Sequence, residues 1–398
     1  MHLTANQVSI SLTNSARSIP QQDWDRLFGA NCLDSRDYHI ALEDAKMPEF
    51  ELGYLTISHN NSLKAVFPFF IMDFSFTTII QGKLQKIIFA LQKRFKNFLK
   101  IKLLFIGFPT TEELCIGIDK TEDHNMLSEL ALDKFMQFIK EKKINNLLYY
   151  NVTASQSGLA ALLDKKGFVR MENFPNARLK IRSDSLEGFI QGLSKNMRKS
   201  LKKKLRLSRE AGDLKIEVAE DINEACSDIY RLYMNNFNNS NVRLETLTPE
   251  FFKNICRNMP GKAKIILTRN NTKLVAFNLC ILNDDTFIDK VIGFDDEASR
   301  RFNLYYTTFC YNLEWCIKNG YRNYQLGIID YHPKIRLGAE LIPLYIYFKS
   351  TKPLMNFLAK KLARFIEPKN FDPALKLLAR KSTQNKAGIV ASESRGAV

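Results

Sequence analysis

The most regular pattern of apolar and polar positions runs from Ala263 to Phe348. AKIILTRN, KLVAFNLCIL and TFIDKVIGF are short runs of β-branched, aromatic and other apolar residues, separated by turn formers, and they predict three strands. NLYYTTFCYNLEWCIKNG spaces its apolar residues as a helix does, and YRNYQLGI and ELIPLYIYF predict two more strands. Between these last two, IDYHPKIRLGA reads as a loop carrying Lys334, Arg336 and Gly338.

The pattern has an earlier copy. Ile57–Phe67 aligns without a gap on Leu267–Phe277 at an offset of 210, and both stretches read as a hairpin turning on Asn-Asn. Lys143–Tyr150 aligns on Gly320–Gly327 at an offset of 177, and each follows an amphipathic helix, Met126–Lys142 or Asn303–Asn319. Two matches in the same order point to a duplicated unit. The predicted class is α/β (α+β), with two tandem half-domains, each a mixed, mostly antiparallel sheet flanked by helices. The expected boundaries are 1–183, 184–350 and a basic amphipathic tail 351–398.

The fall in offset places 33 extra residues in the first half, around 81–121. Lys83, Lys86, Lys93, Arg94, Lys96, Lys100 and Lys102 share that interval with Leu84, Ile87, Ile88, Leu91, Phe95, Phe98 and Leu99 at helical spacing. This predicts a basic amphipathic helix, packed on the domain or facing an anionic surface. Ser155–Lys166 and Phe168–Ile181 read as the helix and strand that close the first half. Ser185–Ala211 reads as one long basic helix, with Lys195, Arg198, Lys199, Lys202, Lys203, Lys204, Arg206 and Arg209 against Glu210 at its end. It serves either as a solvated linker or as an arm for an anion. A strand from Asp213 and helices at 222–239 and 249–259 follow. In the tail, Leu354, Phe357, Leu358, Leu362 and Phe365 form an apolar stripe, and beyond Lys381 the composition predicts disorder.

Charge sharpens this picture. The formal net charge is +16, which favours anionic partners such as nucleic acid, acidic lipid head groups or phosphorylated substrates. The basic run Lys195–Arg209 has no aromatic residue to stack on bases, which argues against a general nucleic-acid binder. Seven cysteines without a CxxC spacing read as reduced residues of a cytosolic protein. The start of the chain lacks the pattern of a signal peptide, and Ala65–Ile80 is too short and interrupted to span a bilayer. The expected location is the cytoplasm, including the inner face of the membrane. Five scattered histidines suggest no metal site, and oligomeric state is left open.

No nucleophile motif or Walker loop is present. The layout suits direct acyl transfer to an amine or hydroxyl, which needs a base, an oxyanion partner and an acid for the leaving group. Asp289 interrupts an apolar strand, so it needs a partner or a purpose. Lys290 beside it points to the opposite face. Asp289, Asp295, Tyr305, Tyr306, Asp330 and Tyr331 collect on one edge of the predicted sheet as candidate acid/base groups. Lys334 can place an ammonium near an oxyanion or phosphate, and Gly338 lets backbone approach a ligand.

Three pieces carry a family resemblance: Ser194-Lys-Asn-Met-Arg198 with its basic helix, Trp315–Gly320 followed by Tyr324-Gln-Leu-Gly327, and Lys334-Ile-Arg-Leu-Gly338 before Pro343. The chain resembles the FemAB-like branch of the GNAT acyltransferase superfamily over roughly Trp24–Phe348. The resemblance implies an acyl- or aminoacyltransferase, in the setting of cell-envelope precursors, with its reaction centre in the second half. It assigns the transfer step to Lys334, beside which Asp289, Tyr305 and Tyr306, read from the sheet edge, stand as further catalytic candidates. Arg198, Lys202, Asp330, Tyr331, Arg336 and Gly338 become candidates for substrate binding. The implied donor is acyl-CoA or aminoacyl-tRNA, and the expected partners are a phosphorylated or lipid-linked precursor, tRNA or an anionic membrane surface. Asp295–Phe302 has no glycine to offer a backbone cradle for pyrophosphate, which leaves Arg300 and Arg301 as side-chain phosphate ligands. The competing reading is a non-catalytic GNAT-like module that binds an anionic glycan lipid, a membrane surface or nucleic acid.

Overall fold

The computed structural model describes residues 8–29, 35–75, 100–219, 221–239, 246–328 and 330–380. In the first half, β1 (Val8–Thr13), α1 (Gln21–Phe28) and α2 (Arg36–Ala45) lead into β2 (Glu51–His59), β3 (Ser62–Ser75), β4 (Lys100–Ile106) and β5 (Gly117–Ile118). Next come α3 (His124–Glu141), β6 (Asn146–Thr153), α4 (Ser157–Lys165) and β7 (Val169–Lys180). The second half opens with α5 (Leu186–Gly192), α6 (Lys195–Glu210), β8 (Lys215–Ala219), α7 (Cys226–Asn239) and α8 (Pro249–Asn258). It continues through β9 (Ala263–Asn270), β10 (Lys273–Asn283), β11 (Thr286–Phe294), α9 (Asp296–Phe302), α10 (Leu304–Lys318) and β12 (Asn323–Gln325). α11 (Tyr331–Arg336), β13 (Glu340–Ser350) and α12 (Pro353–Leu362) complete it.

The described strands form one thirteen-stranded sheet in the order β1-β2-β3-β4-β6-β13-β7-β12-β11-β10-β9-β8, with β5 on β3. The order is symmetric about the β13–β7 pair, and so is the polarity. β4–β6 and β11–β12 are the parallel pairs, and β13 and β7 are antiparallel to each other and to their outer neighbours. The duplication read from sequence is thus written into the sheet. The two half-sheets also exchange their closing strands: β13 lies between β6 and β7, while β7 lies between β13 and β12.

Several sequence expectations change in detail. The first hairpin turns on Asn60 and Asn61, both at positive φ (50° and 59°), as a type I′ turn requires. The second turns one residue later, on Asn271 and Thr272, with Asn271 at φ 54°, so Asn270 is still strand. The basic helix expected over Ser185–Ala211 is two helices. Leu193 is extended, and Ser194 starts α6 anew by accepting a hydrogen bond from the Met197 amide. The interval 81–121 is not a single insertion, because Lys100–Ile106 is strand β4, paired with both β3 and β6. The apolar residues Leu84–Leu99 assigned to that helix, and the tail beyond Lys381, lie outside the described residues. The stretch IDYHPKIRLGA, expected as a loop, contains α11.

One core spans both halves. Trp24, Tyr38, Leu42 and Tyr54 of the first pack in the same cluster as Ile229, Phe251, Phe252 and Ile288 of the second. Gly293 on β11 lets α7 approach: a Cβ there would lie 2.8 Å from the backbone carbonyl carbon of Leu232 and against the Phe277 ring. Gly293→Ala is expected to cost about 1–3 kcal/mol of unfolding free energy through overpacking, read from the denaturation midpoint.

Candidate active site

β11 and β12 run parallel and pair only at Thr286–Ile288 against Asn323–Gln325. Beyond Ile288 the ladder stops, and Asp289 is the first residue past it. Asp289 shares its face of the sheet with Phe287, Asn278, Cys280 and Tyr324, beneath α10, because side chains alternate along a strand. The Asn278 amide donates to both carboxylate oxygens, at 3.0 and 3.1 Å, and the Tyr324 hydroxyl donates to Oδ2 at 3.0 Å. From α10, the Asn312 amide donates to the Tyr324 oxygen at 3.1 Å, which fixes the direction of that hydroxyl. Burial pushes the Asp289 carboxyl up to about 6, against the hydrogen bonds from Asn278 and Tyr324 and the charge of Lys334.

Lys334 reaches the same place from α11. It is 5% exposed, and its Nζ donates to the carbonyls of Gly327 and Ile328, both at 3.2 Å, just past the end of β12. A buried ammonium with three donors thus has one left for another group. Burial pushes it down to about 8, opposed by the negative charges of Asp289, Asp330 and Asp372. Tyr305, in the first turn of α10, buries a hydroxyl that has no partner. Burial and the charges of Asp289 and Asp330 raise its pKa, so the phenol keeps its proton. Asp289, Lys334 and Tyr305 therefore converge where the two parallel strands part.

The remaining candidates are spread more widely. Tyr306 is half-buried beside Tyr305, with Lys204 Nζ 4.7 Å from its ring centre. Lys204 also donates to Asn303 Oδ1 at 3.3 Å, at the start of α10. Asp330 is exposed, at φ 54°, and begins α11. Tyr331 is fully buried, and its hydroxyl donates to the Pro175 carbonyl at 2.7 Å, a packing role. Arg336 is exposed in the last turn of α11, and Gly338 is exposed just beyond its end. Arg198 and Lys202 lie at the α5–α6 corner, where Arg198 donates to Gln191 and to the Leu193 carbonyl, and Lys202 pairs with Glu187 at 2.9 Å. Arg300 is exposed in the last turn of α9; Arg301 donates to the Ala211 carbonyl at 2.7 Å. At the start of α9 Asp295 occupies the amides itself: its carboxylate accepts from Ala298 at 3.0 Å and its carbonyl from Ser299 at 2.7 Å. Lys290 points away from Asp289, as expected, and pairs with Glu112 of the first half at 2.7 Å.

The polar ring of Asn278, Asn312 and Tyr324 went unread in the sequence, although Asn278 interrupts its apolar strand just as Asp289 does. Among the described residues the first half has no such ring. β4–β6 pairing ends at Ile106 and Tyr149, and Gly107 stands where Asp289 stands in the second half. Its opening is bridged by its own chain: the Leu114 amide donates to the Asn151 carbonyl, and the Asn151 side chain to the Thr111 carbonyl, both at 2.8 Å.

Residues 195–334 match the acetyltransferase (GNAT) domain family, and the match ends on Lys334. Two curated relatives from Mycobacterium tuberculosis strains, each named "Putative 8-amino-7-oxononanoate synthase 2", are 29% identical over 199 residues. The alignment takes in 48% of this chain but 26% of each relative, so the chain spans about a quarter of their length. Among solved structures, FemX superimposes with a TM-score of 0.53 at 10% identity, over 80% of this chain and 93% of FemX. A tandem GNAT protein from the clavulanic acid biosynthesis pathway gives 0.53 at 10% identity, over 87% and 99%. A conserved protein of unknown function from Bacteroides thetaiotaomicron gives 0.52 at 14%, over 86% and 100%. Within the second half, residues 195–334 thus match the acetyltransferase (GNAT) domain. The whole chain has the tandem GNAT fold, in the arrangement also seen in FemX.

Proposed function

We propose that the chain is an acyltransferase whose second half moves an acyl group from an acyl-CoA thioester to an amine or hydroxyl acceptor. The observation that carries this reading is the meeting of Asp289, Lys334 and Tyr305 at the parting of β11 and β12. Asp289, with its carboxyl near 6, is ionised at neutral pH and basic enough to take the acceptor's proton as the new bond to the thioester carbon forms. Lys334 supplies positive charge to Asp289 and to the oxyanion of the tetrahedral intermediate. As the carbon–sulfur bond breaks, the unpartnered Tyr305 hydroxyl donates a hydrogen bond to the departing thiolate, which takes its proton from solvent, while Asp289 releases the acceptor's proton to solvent. Acyl-CoA is preferred to aminoacyl-tRNA because the matched domain is an acetyltransferase domain.

The Asp295 cap favours the competing reading, a binding module without catalysis, since it already holds two amides of α9, those of Ala298 and Ser299, and sets a carboxylate where a pyrophosphate would lie. Lys204, Arg336 and Arg300 are then the cations available to the donor's phosphates. A purified full-length chain is expected to release free thiol from acyl-CoA only when an amine or alcohol acceptor is present. Lys334→Met, which keeps the volume and removes the charge, should cut that rate about 100-fold or more. No acceptor-dependent release with any acyl-CoA, together with no acyl-CoA binding by calorimetry, would overturn the reading in favour of the module. A modification of envelope precursors is the setting we take for the acceptor, from the sequence resemblance to FemAB-like enzymes together with the basic surface.

A further inference from the structure

Ten large apolar side chains stand exposed among the described residues, and seven of them lie between Leu354 and Leu378. α12 turns Asn356 and Ala359 inward: Asn356 exchanges hydrogen bonds with the Ser350 amide and carbonyl, and Ala359 packs on the Phe348 cluster. The outward stripe is Leu354, Phe357, Leu358 and Leu362, continued by Phe365. Phe365 is 71% exposed, Leu354 68% and Phe357 57%. A second helix, 373–380, buries Leu375 in the second-half core and exposes Leu377 and Leu378. Thr351–Arg380 holds seven Lys or Arg against two acids, and both acids are engaged. Glu367 pairs with Lys369, and Asp372 accepts from the amides of Ala374 and Leu375.

A soluble surface rarely leaves so many large apolar residues together. Apolar residues along one side of a helix, flanked by unpaired-in-sign positive charge, match a surface that is oily within and anionic at its rim. We propose that α12 and helix 373–380 form a docking surface for an anionic lipid bilayer. Phe357, Leu358, Leu362 and Phe365 enter the acyl boundary, while Lys352, Lys360, Lys361, Arg364 and Lys376 meet the head groups. Docking stands apart from the acyl-transfer reading, since none of these residues belongs to the Asp289 site.

The test is co-sedimentation of the full-length chain with vesicles of phosphatidylglycerol and phosphatidylcholine, or of phosphatidylcholine alone. The expected result is at least about tenfold stronger partition onto the anionic vesicles, weakened by salt. Phe357→Asp with Phe365→Asp should reduce partition at least about tenfold without changing the melting midpoint or acyl transfer to a soluble acceptor. Equal partition of wild type and double variant overturns the proposal. So does a lowered midpoint without vesicle binding, which would mean that the chain's own 76–99 segment covers the stripe. A dimer that the double variant converts to monomer overturns it as well, in favour of a second copy as occupant.

Discussion

Asp289→Asn is expected to lower kcat/KM for acyl transfer about 10²- to 10⁴-fold, the range of a lost general base. The substitution is nearly isosteric. The new side-chain carbonyl can still accept from Asn278, and its amide can donate to the Tyr324 oxygen, so the fold should survive. The sharper signature is in pH. In the wild type kcat/KM should rise as the Asp289 carboxyl ionises around pH 6 and fall as the Lys334 ammonium loses its proton around pH 8. Asp289→Asn removes the acid limb. It also removes a negative charge that holds the Lys334 pKa up, so any residual basic limb moves to lower pH. In Lys334→Met the acid limb moves up instead, because the positive charge of Lys334 opposes the rise that burial imposes on the Asp289 carboxyl. Opposite movements in the two variants would show a coupled pair, and an unchanged acid limb in Asp289→Asn would exclude Asp289 as the base.

Acid should unfold the protein through a residue remote from this chemistry. His39 is fully buried between Trp24 and Phe108, whose ring centre lies 3.8 Å from its own. The Tyr54 hydroxyl donates to Glu43 Oε1 at 2.7 Å, so its oxygen accepts from His39 Nδ1 at 3.2 Å, and Nε2 carries the lone pair without a partner. Protonation would put an N–H and a charge there, and burial pushes the imidazole down from 6.5 to about 3. Between those values the unfolded chain binds the proton and the native chain does not. The neutral imidazole's stability is therefore complete above pH 6.5 and is lost as pH falls toward 3, at about 1.4 kcal/mol per unit. Asp289 titrates in the opposite sense, since its native carboxyl lies above its unfolded value, so the informative quantity is a difference. His39→Phe should lose less stability than wild type between pH 6.5 and 3 by roughly 4 kcal/mol, read from urea midpoints. Parallel pH curves for the two proteins would exclude His39 as the acid-labile group.

Much of this fold is legible in sequence because local pattern and burial agree. The three strands from Ala263 to Phe294 and the helix after them stand where their apolar spacing puts them. α11 was hidden by Pro333 and Gly338, which read as loop formers. Pro333 sits in the first turn of the helix, where a missing amide costs nothing, and Gly338 at φ 92° lies beyond its end. The break between α5 and α6 was written in Gly192 and Ser194, a stop and a cap, but the density of basic residues masked it. Asp289 was legible as a charge in an apolar strand. The partners Tyr324 and Asn312 were not, because they arrive from β12 and α10 and only the parallel β11–β12 pair brings them together. Strand exchange left no trace at all, since an alternating strand looks the same whichever neighbour it pairs with.

That exchange sets an order on synthesis. A nascent chain offers β6 and β7 to the cell well before β13 leaves the ribosome, and for that interval the edges that β13 will cover stand open. Neither half can finish its sheet alone, so the two mature as one cooperative body, and a chain cut short before Glu340 presents two unpaired apolar edges to whatever strand is nearby.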